Sequence, residues 1–246
     1  MGCVMSASDT LFAERIAEEA GAALMALRTA GRLSGPVLGA EGDRIANRIL
    51  CDAIQSERPA DALLSEEEKD SAARLSASRV WIVDPLDGTR EYSEGRDDWA
   101  VHVALAIDGV ARIGAVGLPA RGLIFSSGAP PAPAPANHPP RMLVSRTRPA
   151  EEALRVAGAL GADIVPMGSA GAKAMAVVLG EADIYLHTGG QYEWDNAAPV
   201  AVAVAAGLHV SRVDGSAIRY NAANPYLPDL LICRPEWRDR VFQALA

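Results

Sequence analysis

The chain is poor in several things, and each shortage excludes something. Its three cysteines, Cys3, Cys51 and Cys233, are widely spaced and odd in number, and no Cys-x-x-Cys pair occurs. Neither a disulfide framework nor a zinc knuckle is indicated, and reduced thiols fit the cytoplasmic location expected here. Aromatic residues are only 5% of the 246, so Ala, Val, Leu and Ile must fill the core. Basic residues number 23 against 31 acidic ones, a net charge of −8. That balance argues against binding a nucleic-acid backbone, which needs clustered cations, but leaves room for a small phosphorylated ligand. No long apolar run is present. The longest, after Asp195, is broken by Gly207 and His209 and is too short to span a bilayer. Residues 1–10 have neither the basic nor the apolar stretch of a secretion signal, so neither secretion nor membrane insertion is expected. There is no His-Glu-x-x-His, no Gly-x-Ser-x-Gly elbow, and the four histidines are scattered.

The length fits one large domain or two that share an interface. Phe12, Ile16, Ala20, Ala23 and Leu27 mark one face of a helix, with Ser8, Asp9 or Thr10 to cap it and Gly31 to stop it. A second helix is predicted over 43–55. Strands follow at 80–83, ending at Asp84-Pro85, then at 99–107, 112–117 and 122–126. Residues 127–140 hold six of the sixteen prolines and read as an extended connection. After it strand and helix alternate: strands at 142–145, 163–167, 183–187 and 230–233, helices at 150–160, 172–179 and 196–206. Residues 1–140 therefore read as an α+β domain and 141–246 as an α/β domain.

Four stretches could carry chemistry. In Asp84-Pro85-Leu86-Asp87-Gly88-Thr89 a buried strand ends in two carboxylates three apart, able to converge as hard oxygen ligands for Mg²⁺, with the Leu86 carbonyl between them. An ordinary Asp-Pro, Asp-Gly turn is the competing reading. Ser65-Glu66-Glu67-Glu68 follows an apolar run and could turn one acid inward, or be a solvated charge run. Asp195 precedes an Ala/Val-rich helix as ligand or as cap. Gly168-Ser169-Ala170-Gly171 sits between strand and helix, where backbone N–H groups can meet an anion.

Together, the order and spacing of Ser65-Glu66-Glu67, Asp84 to Thr89 and Trp194-Asp195-Asn196-Ala197-Ala198-Pro199 resemble the inositol monophosphatase superfamily of Mg²⁺-dependent phosphatases. Within it, the stretches 87–92, 95–102 and 168–175 are similar to those of CysQ-type 3′-phosphoadenosine 5′-phosphate phosphatases. The resemblance implies a layered α/β/α/β/α sandwich, as in the inositol monophosphatase and fructose-1,6-bisphosphatase fold, usually dimeric. It implies two or three Mg²⁺ ions at Glu66, Asp84, Asp87, Asp195 and the Leu86 carbonyl. Asp43, Glu66 and Thr89 are the implied catalytic residues, although the chain has Ala40-Glu41-Gly42-Asp43 where Thr-x-Ala-Asp is frequent. Gly88, Thr89, Arg90, Gly168, Ser169, Lys173, Glu193 and Asp195 are the implied substrate-binding residues, with Arg146 within reach of the cleft. The expected reaction is removal of the 3′-phosphate of a 3′(2′),5′-bisphosphate nucleotide, in sulfur metabolism. Inositol monophosphatase or fructose-1,6-bisphosphatase activity is the alternative on the same site, and a noncatalytic metal-binding regulator is the alternative of another class. The expected partners are thus a small phosphorylated nucleotide or polyol and a second copy of the chain, not a nucleic acid or a membrane.

Overall fold

The computed structural model describes residues 7–132 and 134–246; Cys3 lies outside them. Two long helices open the chain, α1 (Ala7–Thr29) and α2 (Gly35–Glu57). They are followed by β1 (Ala62–Ser65), β2 (Arg79–Asp87), the short α3 (Thr89–Ser93), β3 (Ala100–Ile107), β4 (Val110–Leu118) and β5 (Leu123–Ser126). The second half contains β6 (Arg141–Ser145), α4 (Glu151–Leu160), β7 (Asp163–Met167), α5 (Ala170–Val178), β8 (Ile184–His187), β9 (Gln191–Tyr192) and α6 (Glu193–Ala205). It ends with β10 (His209–Ser211), β11 (Tyr226–Leu227), β12 (Leu230–Cys233) and α7 (Arg238–Leu245).

The strands form two five-stranded sheets, ordered β1-β2-β3-β4-β5 and β10-β12-β8-β6-β7. In the first, only β1 and β2 run parallel; in the second, β6 is parallel to both β7 and β8. Side chains alternate across each strand, which sorts them into three cores. Trp81, Val83, Val101, Val103 and Leu105 face α1 and α2. Val80, Ile82, Ala104 and Val116 face the other way, onto α5 and α6 and onto Leu143, Tyr185 and Ile232 of the second sheet. Met142, Val144, Ile184 and Leu186 then face α4 and α7. The layers run α/β/α/β/α, as the resemblance implied. The middle core draws on residues from both sides of the 127–140 segment.

Several boundaries differ from the sequence reading for definite reasons. Ser8, Asp9 and Thr10 lie inside α1 instead of ahead of it, and Asp9 is paired with Arg58 and Arg79 at 2.9 and 3.0 Å. Helix α2 begins eight residues before Asp43, with a proline in its first turn. Its glycines weaken the periodic signal but let the helix sit close: a Cβ on Gly39 would stand 2.7 Å from Thr89 Cγ2. Strand β2 does not stop at Asp84-Pro85 but runs on to Asp87, with the pairing to β3 shifted between Asp84 and Asp87. Such an irregularity accommodates a proline and re-aims the side chains around it. Helix α7 was not legible, since Val241 is the one buried residue recorded on it.

Among its described residues the 127–140 segment forms no helix or strand, and its far end is fixed. The fully buried Asp183 accepts the backbone N–H groups of Asn137 and Arg141, both at 2.8 Å. Inside α6 stands Pro199, which has no N–H to offer the carbonyl of Asp195 four residues before it.

Candidate active site

The end of β2 and the start of α6 bring three carboxylates together. Asp84, Asp87 and Asp195 each offer an oxygen, and these oxygens lie within 4.8 Å of one another. Each side chain is aimed by a protein donor on one oxygen. Asp84 Oδ1 accepts the Leu86 N–H at 3.0 Å, and Asp195 Oδ2 accepts the Tyr192 N–H at 2.6 Å. Asp87 Oδ2 accepts the Gly171 N–H at 2.7 Å and the Ser169 hydroxyl. Among the described residues, no N–H or hydroxyl donor is recorded on the other three oxygens. Gly88 makes the turn possible: its φ is +91°, and a Cβ there would stand 3.2 Å from the Cβ atoms of both Trp99 and Ser169.

The charge is poorly compensated. Burial, then Glu66, Asp87 and Asp195, push the Asp84 carboxyl well above the usual range. Asp195 is pushed up to about 7 by burial and by Asp87. Glu66 also rises to about 7: burial of its carboxyl raises it, Asp43, Glu67 and Asp87 add to the effect, and a hydrogen bond with Asp84 opposes them. Asp43 is pushed up to about 7 by burial and then by Glu67. A cluster of hard oxygen donors that resists ionisation when empty is what a divalent cation stabilises. The donor set thus fits the metal the resemblance implied, with Glu66 at its edge.

Beside the acids lies a cavity of about 350 Å³, within the range of small-ligand sites. Of the residues expected to bind substrate, Gly88, Thr89, Arg90, Gly168, Ser169, Lys173 and Asp195 line it. Glu193 does not. Its carboxylate is buried and accepts the N–H groups of Asn221 and Ala222 at 2.7 and 2.8 Å. A helix turns by about 100° per residue, so Glu193 and Asp195 leave α6 on opposite sides. The cations of the cavity differ in what they hold. Arg146 is engaged by Glu91 and Glu94 at 2.9 and 2.8 Å. The Lys173 ammonium is buried and donates to the carbonyls of Gly168 and Ser169 at 3.1 and 2.5 Å. Arg90 and Arg148 have no recorded side-chain partner among the described residues, and Arg148 was missed by sequence reasoning; nothing but its Arg-x-Arg neighbour signals it. Tyr185, His187 and Gln191 also line the cavity unforeseen.

The chain belongs to the inositol monophosphatase family, whose match spans residues 12–244. The family is one of metal-dependent enzymes, in keeping with the acidic cluster. Among individual proteins, the chain is 51% identical over 241 residues to the 3′-phosphoadenosine 5′-phosphate phosphatase of Mycobacterium bovis, covering 93% of this chain and 90% of that one. It is 29% identical over 206 residues to the 3′(2′),5′-bisphosphate nucleotidase CysQ of Escherichia coli, covering 79% and 83%. The fold matches inositol monophosphatase II from Staphylococcus aureus with a TM-score of 0.81 at 18% identity, over 96% of this chain and 95% of that one. No helix among the described residues is long and apolar enough to cross a membrane.

Proposed function

We propose that the chain is a Mg²⁺-dependent 3′(2′),5′-bisphosphate nucleotidase that converts 3′-phosphoadenosine 5′-phosphate to AMP and phosphate. One observation carries the substrate class. The cavity joins a carboxylate cluster to two arginines without carboxylate partners, Arg90 and Arg148, so one phosphate can sit at the acids while another meets a guanidinium. A monophosphate would leave that cation unmatched. The names of the similar proteins point the same way.

In this reading Glu66, Asp84, Asp87, Asp195 and the Leu86 carbonyl hold two or three Mg²⁺ ions. When bound, Mg²⁺ supplies charge stabilisation to the phosphoryl oxygens and a lowered pKa to water. The protein does the rest. Thr89 has one proton to donate, to the Leu86 carbonyl at 3.1 Å or the Asp43 carboxylate at 3.4 Å, and its lone pairs are left to accept from the attacking water. Asp43, pushed up to about 7, is suited to take a proton near neutral pH. The first N–H groups of α3 have no partner within that helix and can meet phosphate oxygens. No covalent intermediate is needed. The acids of residues 1–140 and Asp195 of residues 141–246 act across the boundary between the two proposed domains. A homodimer in the cytoplasm completes the reading, and the buried, unpaired thiols of Cys51 and Cys233 fit a reducing compartment.

Phosphate release at fixed enzyme and Mg²⁺, compared over 3′-phosphoadenosine 5′-phosphate, inositol 1-phosphate, fructose 1,6-bisphosphate and 3′-AMP, tests this. The bisphosphate nucleotide is expected to give the highest kcat/KM. A higher value for inositol phosphate or the fructose bisphosphate overturns the substrate class and leaves the metal site standing.

A further inference from the structure

Ser169 is a non-glycine residue in the left-handed region, with φ of +49°, in the connection between β7 and α5. Side chains avoid that region unless their surroundings enforce it. Here the enforcement is visible. The loop's Gly168 N–H donates to Asp98 Oδ2 at 2.7 Å, and the Lys173 ammonium reaches back to the Gly168 and Ser169 carbonyls. Held so, Ser169 accepts the Ala172 N–H at 2.9 Å and gives its hydroxyl proton to Asp87 Oδ2. The Gly171 N–H meets the same carboxylate oxygen. Asp87 is thereby turned so that Oδ1 is the oxygen left for the acidic cluster.

We infer that Lys173 is a positioning residue: it acts through the strained Ser169 to orient Asp87 for metal, and is not the cation that receives the substrate's second phosphate. The inference rests on the metal site proposed above. Two of the three ammonium protons are committed to backbone carbonyls, and the residue is 5% exposed, a poor state for meeting an incoming dianion. Arg148 is exposed in the same cavity and better placed for that role.

The experiment is calorimetric titration of the metal-free protein with Mn²⁺ and Mg²⁺, without substrate, on wild type, Lys173→Met, Ser169→Ala and the double variant, each first checked for native circular dichroism. Residues that orient metal ligands typically influence affinity by about 10- to 100-fold, so each single variant is expected to bind at least about tenfold more weakly. Because Lys173 works through Ser169, the double variant should be little worse than either single one. The kcat/KM ratio of bisphosphate to 3′-AMP should stay within about twofold of wild type in Lys173→Met. Unchanged metal affinity in Lys173→Met, strictly additive losses, or a collapse of that ratio overturns the inference. Should Lys173→Met not fold, Ser169→Ala alone decides: undiminished metal affinity there breaks the chain of contacts. A wild-type protein that binds neither metal removes the site itself, an outcome distinct from all of these.

Discussion

The Asp43 carboxylate faces the Thr89 hydroxyl at 3.4 Å, across 46 residues of sequence. The contact joins the third turn of α2 to the first residue of α3, and it exists because α2 lies close enough at Gly39 to touch Thr89. In the proposed mechanism the residue that takes a proton and the residue that aims a water are thus packed as one unit, next to the acids.

Loss of either aspartate of β2 should abolish most turnover. Asp84→Asn and Asp87→Asn are each expected to reduce kcat/KM by at least about two orders of magnitude, since a displaced metal removes several kcal/mol of transition-state stabilisation. Phosphate release at saturating Mg²⁺ measures it. Wild-type-like rates in either variant contradict the metal assignment.

Activity should vanish in excess EDTA and return with Mg²⁺. Ca²⁺ should compete without supporting turnover, because it takes more ligands at longer distances than the compact carboxylate group offers. Full activity in EDTA is the contrary result.

The raised carboxyls make a prediction about the metal-free protein. The Asp195 pKa is pushed up from an ordinary 3.8 to about 7. Between those values the folded chain binds more protons at this group than the unfolded chain does. Stability therefore falls as pH rises through that window, and what the ionised group takes away is fully felt above about 7. Asn has no such proton to lose, and it keeps an oxygen for the Tyr192 N–H. In EDTA, Asp195→Asn should melt progressively higher relative to wild type from pH 5 to pH 8, the gap widening by about 2–4 °C for each kcal/mol involved. Taking the difference cancels the opposite slope of the buried histidines. A gap that narrows with rising pH would falsify the assignment of strain to this carboxyl.

Arg148→Ala should raise KM for the bisphosphate by roughly 10- to 150-fold and leave 3′-AMP nearly unaffected, in line with about 1.5–3 kcal/mol for a charge-assisted contact. Thermal stability should hardly move, because the side chain is exposed and has no partner among the described residues. Equal effects on both substrates would return Arg148 to the ordinary surface.

Gly171→Ala tests the packing behind Asp87. An added Cβ would lie 2.0 Å from His102 Nε2 and 3.0 Å from the Ala100 Cβ, both on fully buried residues. Overpacking of this kind costs about 1–3 kcal/mol, which urea unfolding resolves. An unchanged midpoint would mean that the loop before α5 yields easily.

Much of this was readable in advance because it is local. Asp84, Asp87 and Thr89 lie within six residues, and short apolar runs bounded by turn residues located most strands. The orientation of Asp87 was not readable: Ser169 and Gly171 stand more than 80 positions away, and only folding brings their donors to it. Glu193 and Asp195 look interchangeable beside Trp194, but the helix sends one to the 221–222 loop and the other to the acids. Arg146 and Arg148 are two residues apart, and what separates them is that Glu91 and Glu94 hold the first. Neither spacing nor residue type records which partner a side chain finds.

Pro199 leaves the carbonyl of Asp195 outside the hydrogen-bond ladder of α6, and the first turn is held also from outside that ladder: Asp195 accepts the Tyr192 N–H, Glu193 accepts the Asn221 and Ala222 N–H groups, and the Glu193 N–H donates to the Pro225 carbonyl at 2.8 Å. Amide exchange should report this directly, with fast exchange in that turn and slow exchange from Val202 onward. In the proposed reading, the turn that carries Asp195 can then settle against a bound cation without disturbing the rest of the helix, which stays fixed as the central beam between the two sheets.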